Sequence, residues 1–397
     1  MKSTTPFGIT TEEGLDGWAF DVGGLLECLE RVTDHRCPKG VRYPLPGLLL
    51  VAALAKLAGE DNPYAIADWV RLRGRQLREA LHLPWKGIPN HNTYRRVFQD
   101  DVDPQELDRK VSDYLRSLPG VGHSILVAFD GKTLRGTIDP RHPHGDHLLA
   151  AYLPEEGIVL IQLPTGSKEN EISVASRLLK AVDLRGKVAM GDAAQTQRQL
   201  SAQILAAGGD YIWFAKDNQP SLRAEIEELF TADDTTVLGA HVPNDFRAKV
   251  KTDKGHGRLE VRKITTSSEL KGYSDWPGLE QVFQLERRRV NLRTGREGRE
   301  IVYGLTSLSA EEASPARLLD LSRSYWGIEN GLHWRRDVTF REDRTRMTKG
   351  NLGRVMATLN NLAISLLRHA GATNIAAARR WCQANLIPKL SPAPMLE

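Results

Sequence analysis

Ile125-Leu-Val-Ala-Phe-Asp-Gly131 is an apolar run that ends on an aspartate and a glycine, and Lys187-Val-Ala-Met-Gly-Asp192 has the same form. A short apolar run bounded by turn residues reads as a strand buried on both faces. Each run therefore predicts a strand with an acidic residue at its carboxyl end. Working outward, His147 to Leu153 and Ile158 to Leu163 are two further strands, joined as a hairpin by Pro154-Glu-Glu-Gly157. Glu171 to Val182 and Gln197 to Ala207 have helical periodicity, and Tyr211-Ile-Trp-Phe-Ala215 is a fifth strand. Three hairpin-like strands come first, and later strands arrive through helices. That is the order of a ribonuclease-H-like mixed sheet, an α/β fold.

The flanking sequence has a different character. Positions 1–22 read as a tail and 23–118 as an all-helical N-terminal domain. There, Leu48, Leu49, Val51, Ala52, Leu54, Ala55 and Leu57 make an almost wholly apolar helix, and Ile66, Trp69 and Val70 repeat at helical spacing. Asn90-His-Asn-Thr93 offers capping residues ahead of Tyr94 to Phe98. Positions 119–345 read as the core domain, with a β-rich insertion at about 233–305. Its segments are Arg258 to Thr265, Leu279 to Val290 and Arg299 to Leu305. A long helix is predicted from Pro315 to Arg336. Positions 346–397 form a C-terminal helical segment, in which Asn351 to His369 is amphipathic.

Composition narrows the class. The 397 residues are 41% hydrophobic and 26% charged, as in ordinary globular chains. The net charge is +4, and the basic residues are clustered. Arg71, Arg73, Arg75 and Arg78 form one cluster, and Arg95 and Arg96 a second. Lys251, Lys254, Arg258, Arg262 and Lys263 form a third, and Glu286-Arg-Arg-Arg289 a fourth. Such clusters neutralise phosphates or simply solvate a face. The three cysteines, Cys28, Cys37 and Cys382, have no CxxC spacing. This argues against a disulfide scaffold or zinc knuckle and for a reducing compartment. The most apolar run, Leu48 to Leu57, is interrupted by Lys56 and falls short of the roughly 20 residues of a membrane span. Met1 to Phe20 has no signal-peptide pattern. A soluble, cytoplasmic protein with no membrane partner is expected.

Asp130 and Asp192 carry the chemical expectation. In α/β sheets, ligands gather outside the carboxyl ends of strands. Two carboxylates there repel each other unless a cation compensates them. Magnesium suits such a pair because it prefers oxygen ligands and needs few carboxylates. Two such ions stabilise both the attacking and the leaving oxygen of a phosphodiester displacement. A third carboxylate is sought on Tyr325-Trp-Gly-Ile-Glu-Asn-Gly-Leu-His-Trp-Arg-Arg336, where α-helical spacing puts Tyr325, Glu329, His333 and Arg336 on one face. Taken singly, a strand-end Asp also serves as a turn former or helix cap, and a helical Glu is commonly solvated. The residues alone support a metal-dependent, nuclease-like enzyme.

At these residues the chain resembles the bacterial insertion-sequence transposases of the DDE type, and within them the ISAs-type group, the H-repeat-associated proteins. Early stretches that carry the resemblance are Asp34-His-Arg-Cys-Pro-Lys-Gly-Val-Arg-Tyr-Pro-Leu45 and Ile88-Pro-Asn-His-Asn-Thr93. Central ones are Phe129-Asp-Gly-Lys-Thr-Leu-Arg-Gly136, Lys168-Glu-Asn-Glu-Ile172, Gly191-Asp-Ala-Ala-Gln-Thr-Gln197, Lys216-Asp-Asn-Gln-Pro220 and His256-Gly-Arg258. The last are Tyr325 to Trp334 and Asp337-Val-Thr-Phe-Arg-Glu-Asp343. Two positions depart from the group's habit. Tyr325 stands where it usually has His, and Ala194-Gln195 where it usually has Leu-His.

The resemblance implies that Asp130, Asp192 and Glu329 are the catalytic, metal-binding triad. It implies a Mg²⁺-dependent transposase with two ions (Mn²⁺ a substitute), acting on terminal inverted repeats and target DNA as a homodimer at the nucleoid. Lys132, Tyr325, Asn330, His333 and Arg336 are the expected DNA contacts, with His333 and Arg336 on the phosphates flanking the cut. Trp276 is a candidate platform for a flipped base, or else a packing residue. The alternatives are a catalytically decayed DNA-binding protein and a ribonuclease-H-like nuclease acting on RNA–DNA hybrids.

Overall fold

In the computed structural model, residues 20–166, 171–231, 245–255 and 257–390 are described. Positions 1–19 of the expected tail, 167–170, 232–244 at the start of the β-rich stretch, His256 and the last seven residues lie outside them. The strands are β1 (Leu126–Leu134), β2 (Asp146–Leu153), β3 (Ile158–Thr165), β4 (Val188–Gly191), β5 (Asp210–Ala215), β6 (Arg247–Gly255), β7 (Arg258–Ser267), β8 (Gln281–Asn291) and β9 (Glu297–Thr306). The helices are α1 (Val22–Leu29), α2 (Leu45–Leu57), α3 (Pro63–Ala80), α4 (His91–Arg96), α5 (Pro104–Ser117), α6 (Glu171–Lys180), α7 (Arg198–Ala206), α8 (Pro220–Thr231), α9 (Pro315–Tyr325), α10 (Leu352–His369) and α11 (Ile375–Leu390). The chain divides into two units. One comprises residues up to 123, 131–166 and 328 onward; the other comprises 124–130 and 167–327.

In the second unit, β1 pairs in parallel with β4, and β4 in parallel with β5. The apolar runs Leu126 to Phe129 and Val188 to Gly191 are buried, as strands covered on both faces must be. β9 then pairs antiparallel with β5, and β8, β7 and β6 follow antiparallel in that order. The β-rich stretch therefore extends the sheet through the β5–β9 pairing. It holds four strands where three segments were expected. α6 and α7 pack together, α7 lies against β5, α8 against β8 and β9, and α9 against β6 and β7.

In the first unit, α2 is the centre. Twelve of its thirteen residues are buried, among them Lys56, whose ammonium donates to the Asp61 carbonyl at 3.0 Å. α1, α3, α10 and α11 pack around it. Asn62 caps α3 by accepting from the Tyr64 and Ala65 amides at 3.0 Å each, ahead of Pro63 at the first helical position. β2 and β3 form the expected antiparallel hairpin, with a bulge at Ala151/Tyr152. β1 runs through both units and is also hydrogen-bonded to β2. The first five strands thus lie in the order β3-β2-β1-β4-β5, the ribonuclease-H-like arrangement read from the sequence.

Two local expectations fail. β1 does not end at Asp130 but continues to Leu134. The long helix from Pro315 to Arg336 is not continuous: α9 stops at Tyr325, Trp326 is a turn, and π-helical turns follow at Glu329–His333 and Arg335–Thr339. Gly327 and Gly331 supply the weak helix propensity that permits the change. Among the described residues, no helix is long and apolar enough to cross a membrane.

Gly304 on β9 marks where the sheet tolerates no side chain. A Cβ there would fall on the Phe283 ring and within 2.5 Å of the Trp213 carbonyl oxygen. Because that oxygen is backbone, Gly304→Ala is expected to lower stability by about 1–3 kcal/mol. Urea unfolding of the variant checks this; an unchanged midpoint would contradict the packing described.

Candidate active site

The parallel register of β1 and β4 sets the first part of the site. Phe129 is level with Gly191, so Asp130 and Asp192 each follow the last paired position of adjacent strands. Neighbouring strands lie about 4.8 Å apart. Asp130 is half-buried within β1. Asp192 leaves β4 as the cap of a short 3₁₀ turn, Ala193–Gln195, and its carboxylate accepts from the Ala194 and Gln195 amides at 2.9 and 3.4 Å. Both amides bond one oxygen of the carboxylate, which leaves its other lone pairs available.

The electrostatics of Asp192 reveal a residue that the sequence reading assigned no role. Burial raises the Asp192 pKa, and the neighbouring charge of Glu171 raises it further. The two backbone amides and Lys216 oppose that rise. Glu171 opens α6 and accepts from the Gln195 side-chain amide at 3.2 Å. Its only signal in the sequence was its place in Lys168-Glu-Asn-Glu-Ile172. Gln195, one of the two departures from the group's habit, is buried and positions this second acid.

Glu329 belongs to the other unit and is exposed, as is the neighbouring Asn330. The expectation that Tyr325, Glu329, His333 and Arg336 share one face assumed 3.6 residues per turn. The π-helical turns break that spacing, and His333 and Arg336 are buried while Glu329 is exposed. Lys132, Tyr325, His333 and Arg336 are at most 8% exposed, so these expected DNA contacts do not present a surface to phosphates. Arg336, 1% exposed, instead forms a two-pronged pair with Glu342, with contacts of 2.9–3.0 Å. Asn360 of α10 donates to the same carboxylate at 2.8 Å.

Asp337, Glu342 and Asp343 each place a carboxylate oxygen within 4.8 Å of the others, a grouping able to hold a metal ion. The chain's own cations already meet it. The Lys132 ammonium lies 2.5 Å from Asp337 and 3.8 Å from Asp343, and Arg336 answers Glu342. Gly136 is required beside this cluster, because a Cβ there would collide with the Thr345 carbonyl.

Much of the basic charge counted in the sequence is also neutralised internally. Glu260 meets Arg262, Arg287 and Arg289 at 2.7, 3.5 and 3.1 Å. Glu286 meets Arg288 and Arg299 at 2.5 and 2.7 Å. On α3, Arg71 pairs with Asp68 and Arg75 with Glu79. Trp276 is 3% exposed, and its indole donates to Ser201 at 3.1 Å. It is a packing residue rather than a platform for a base.

Comparison with known proteins agrees with the motifs. The family described as "Transposase DDE domain" matches residues 122–366, and the one described as "DDE_Tnp_1-associated" matches residues 26–115. YbfL of Escherichia coli strain K12 is 27% identical over 348 residues, 86% of this chain and 90% of its own. The H repeat-associated protein YhhI of the same strain is 26% identical with the same coverage. A Xanthobacter autotrophicus protein from the dhlA 3′ region is 33% identical over 62% of this chain and 82% of its own. Among solved structures, the piggyBac transposase synaptic complex with hairpin DNA aligns over 95% of this chain and 80% of that chain, with a TM-score of 0.44 and 12% identity.

The burial of His333 has a consequence for stability. Burial, with the charges of Arg336, Lys132 and His147, lowers its pKa from 6.5 to about 3. The folded pKa lies below the unfolded one, so this histidine's contribution is present above pH 6.5 and is lost as pH falls toward 3. Between about pH 7 and pH 5 the loss amounts to up to about 2 kcal/mol. His333→Gln should remove that much of the pH dependence of the unfolding free energy. Parallel wild-type and variant pH profiles would show that His333 is not held neutral.

Proposed function

The chain belongs to the transposase family with a DDE domain and is a DNA transposase, and on that premise we propose that Asp130, Asp192 and Glu329 act together as its metal-binding catalytic triad. The observation that carries the reading is the level placement of Asp130 and Asp192 on the parallel strands β1 and β4. Two carboxylates so placed, with Glu171 beside the second, make an all-oxygen, electron-rich donor set. Such a set suits a hard divalent cation, with Mg²⁺ the natural ion and Mn²⁺ its substitute. Glu329 joins them on the strength of its matching motif and its exposure.

The chemistry is phosphodiester cleavage followed by strand transfer at the ends of an insertion sequence. Two divalent ions, when bound, supply charge stabilisation for the attacking and leaving oxygens. The residues of the chain do the rest. Asp192 is aimed by the Ala194 and Gln195 amides, and Asp130 is fixed by its place in β1. Arg336 and Lys132 hold the segment that follows Glu329 by pairing with Glu342 and Asp337. In the proposed division, 23–118 is a DNA-binding helical domain, 119–345 the catalytic domain with an insertion at about 233–305, and 346–397 a helical support. The DNA is the element's terminal inverted repeats and its target. Holding two ends at once calls for a homodimer on DNA, acting at the nucleoid.

The test is cleavage of duplexes that carry the element ends. Asp130→Asn, Asp192→Asn and Glu329→Gln should each reduce Mg²⁺-dependent cleavage to the uncatalysed background while retaining duplex binding. Full cleavage by any of the three would remove that residue from the triad.

A further inference from the structure

We propose that the cavity formed by the Asp34–Leu45 loop and the start of α4 is a binding site for the phosphate backbone of DNA, separate from the carboxylates. This rests on the reading of the chain as a DNA transposase. The cavity holds about 520 Å³, room for a nucleotide-sized segment rather than a lone ion. It is built from two stretches that catalysis leaves unused, Asp34 to Leu45 and Ile88 to Thr93. Arg36, Lys39, Arg42 and Arg96 line it, against one carboxylate, Asp101.

The lining is preorganised. Arg36 is clamped by Asp34 at 2.7 and 2.8 Å and donates to the Tyr43 carbonyl at 2.9 Å, which fixes the loop around the cavity. Tyr43 in turn meets Trp85 edge to face, with ring centroids 5.5 Å apart. Lys39, Arg42 and Arg96 are exposed and make no ion pair among the described residues. They differ in this from the arginines of β7 and β8, which are answered by Glu260 and Glu286. Arg96 shares the field of Asp101, but no ion pair among the described residues ties down Lys39, Arg42 or Arg96. Cations so exposed on a concavity are suited to an external anion, and each phosphate contact releases condensed counterions. Asn92 and Thr93 add polar groups to the same wall. Exposed cations of this kind suit phosphate oxygens, and such contacts position a duplex without reading its sequence.

The test uses the full chain and two duplexes, one with the element's terminal repeat and one of scrambled sequence, across a salt series. Lys39→Ala, Arg42→Ala and Arg96→Ala should each weaken binding to both duplexes alike. Each should flatten the log K against log salt slope by about 0.9. Asp101→Asn, which removes the one carboxylate of the lining, should tighten binding. Circular dichroism and unfolding midpoints confirm that the variants fold. If the wild type binds duplex while all three alanine variants keep its affinity and slope, this site is wrong and the transposase reading stands. If the wild type binds no duplex, both fall. Saturation of the cavity by inorganic phosphate alone, with duplex affinity unchanged in the variants, would reassign it to the free anion and overturn the proposal.

Discussion

The parallel register that holds Asp130 and Asp192 level on adjacent strands is the constraint on which the proposed site depends. The hydrogen-bond register of β1 and β4 is set by backbone and by buried apolar side chains, so the two aspartates stay level. Burial and Glu171 raise the Asp192 pKa, and only two amides and Lys216 work against them. A sheet selected for stability alone would gain by replacing one acid with a neutral residue. Asp192 kept beside Glu171 and level with Asp130 fits the proposed role of an external cation as the compensating charge.

The other unit solves the opposite problem. Asp337, Glu342 and Asp343 also crowd together, but Lys132 and Arg336 are buried among them and supply the counter-charge from within. Buried ion pairs are poor sources of net stability, because desolvation consumes much of the Coulombic gain, whereas breaking one partner is costly. Their effect is therefore on placement. Arg336 and Asn360 fix Glu342, and Lys132 ties β1 to Asp337, so the π-helical segment that begins at Glu329 is held at its far end. Lys132 and Arg336 thus act by positioning, a role that burial enforces and sequence position alone does not reveal.

This division explains what was legible beforehand. The core strands were readable because Leu126 to Phe129, Val188 to Gly191 and Tyr211 to Ala215 are continuous apolar runs, and the hairpin was readable from Pro154-Glu-Glu-Gly157. Two things were not. β6 escaped notice because Arg247 to Gly255 is charged and almost wholly exposed, with no periodicity to betray a strand. The end of β1 was misplaced because Asp130-Gly131 resembles a turn, and only partners distant in sequence keep Lys132 and Leu134 extended. In the site, Asp192 does follow the end of its strand, whereas Asp130 lies within β1, level with Asp192 through the register with β4. The burial of His333 and Arg336 could not be read beforehand, because it depends on Glu342, Asn360 and a helix that changes its turn.

Charge counting in a sequence measures composition, not surface potential, and the basic clusters show the difference. Glu286-Arg-Arg-Arg289 looks like a phosphate site when written in line. In the sheet, Glu286 and Glu260 each gather arginines from neighbouring strands, and the cluster becomes largely self-neutralised. Arg95 and Arg96 look weaker in line, yet Arg96 faces a cavity shared with Lys39 and Arg42, across which a single carboxylate answers several cations. Residues far apart in sequence that share one concavity add their potentials, whereas residues adjacent in sequence on a strand point to opposite faces. Surface potential thus follows from how the chain folds, not from the density of arginine along it.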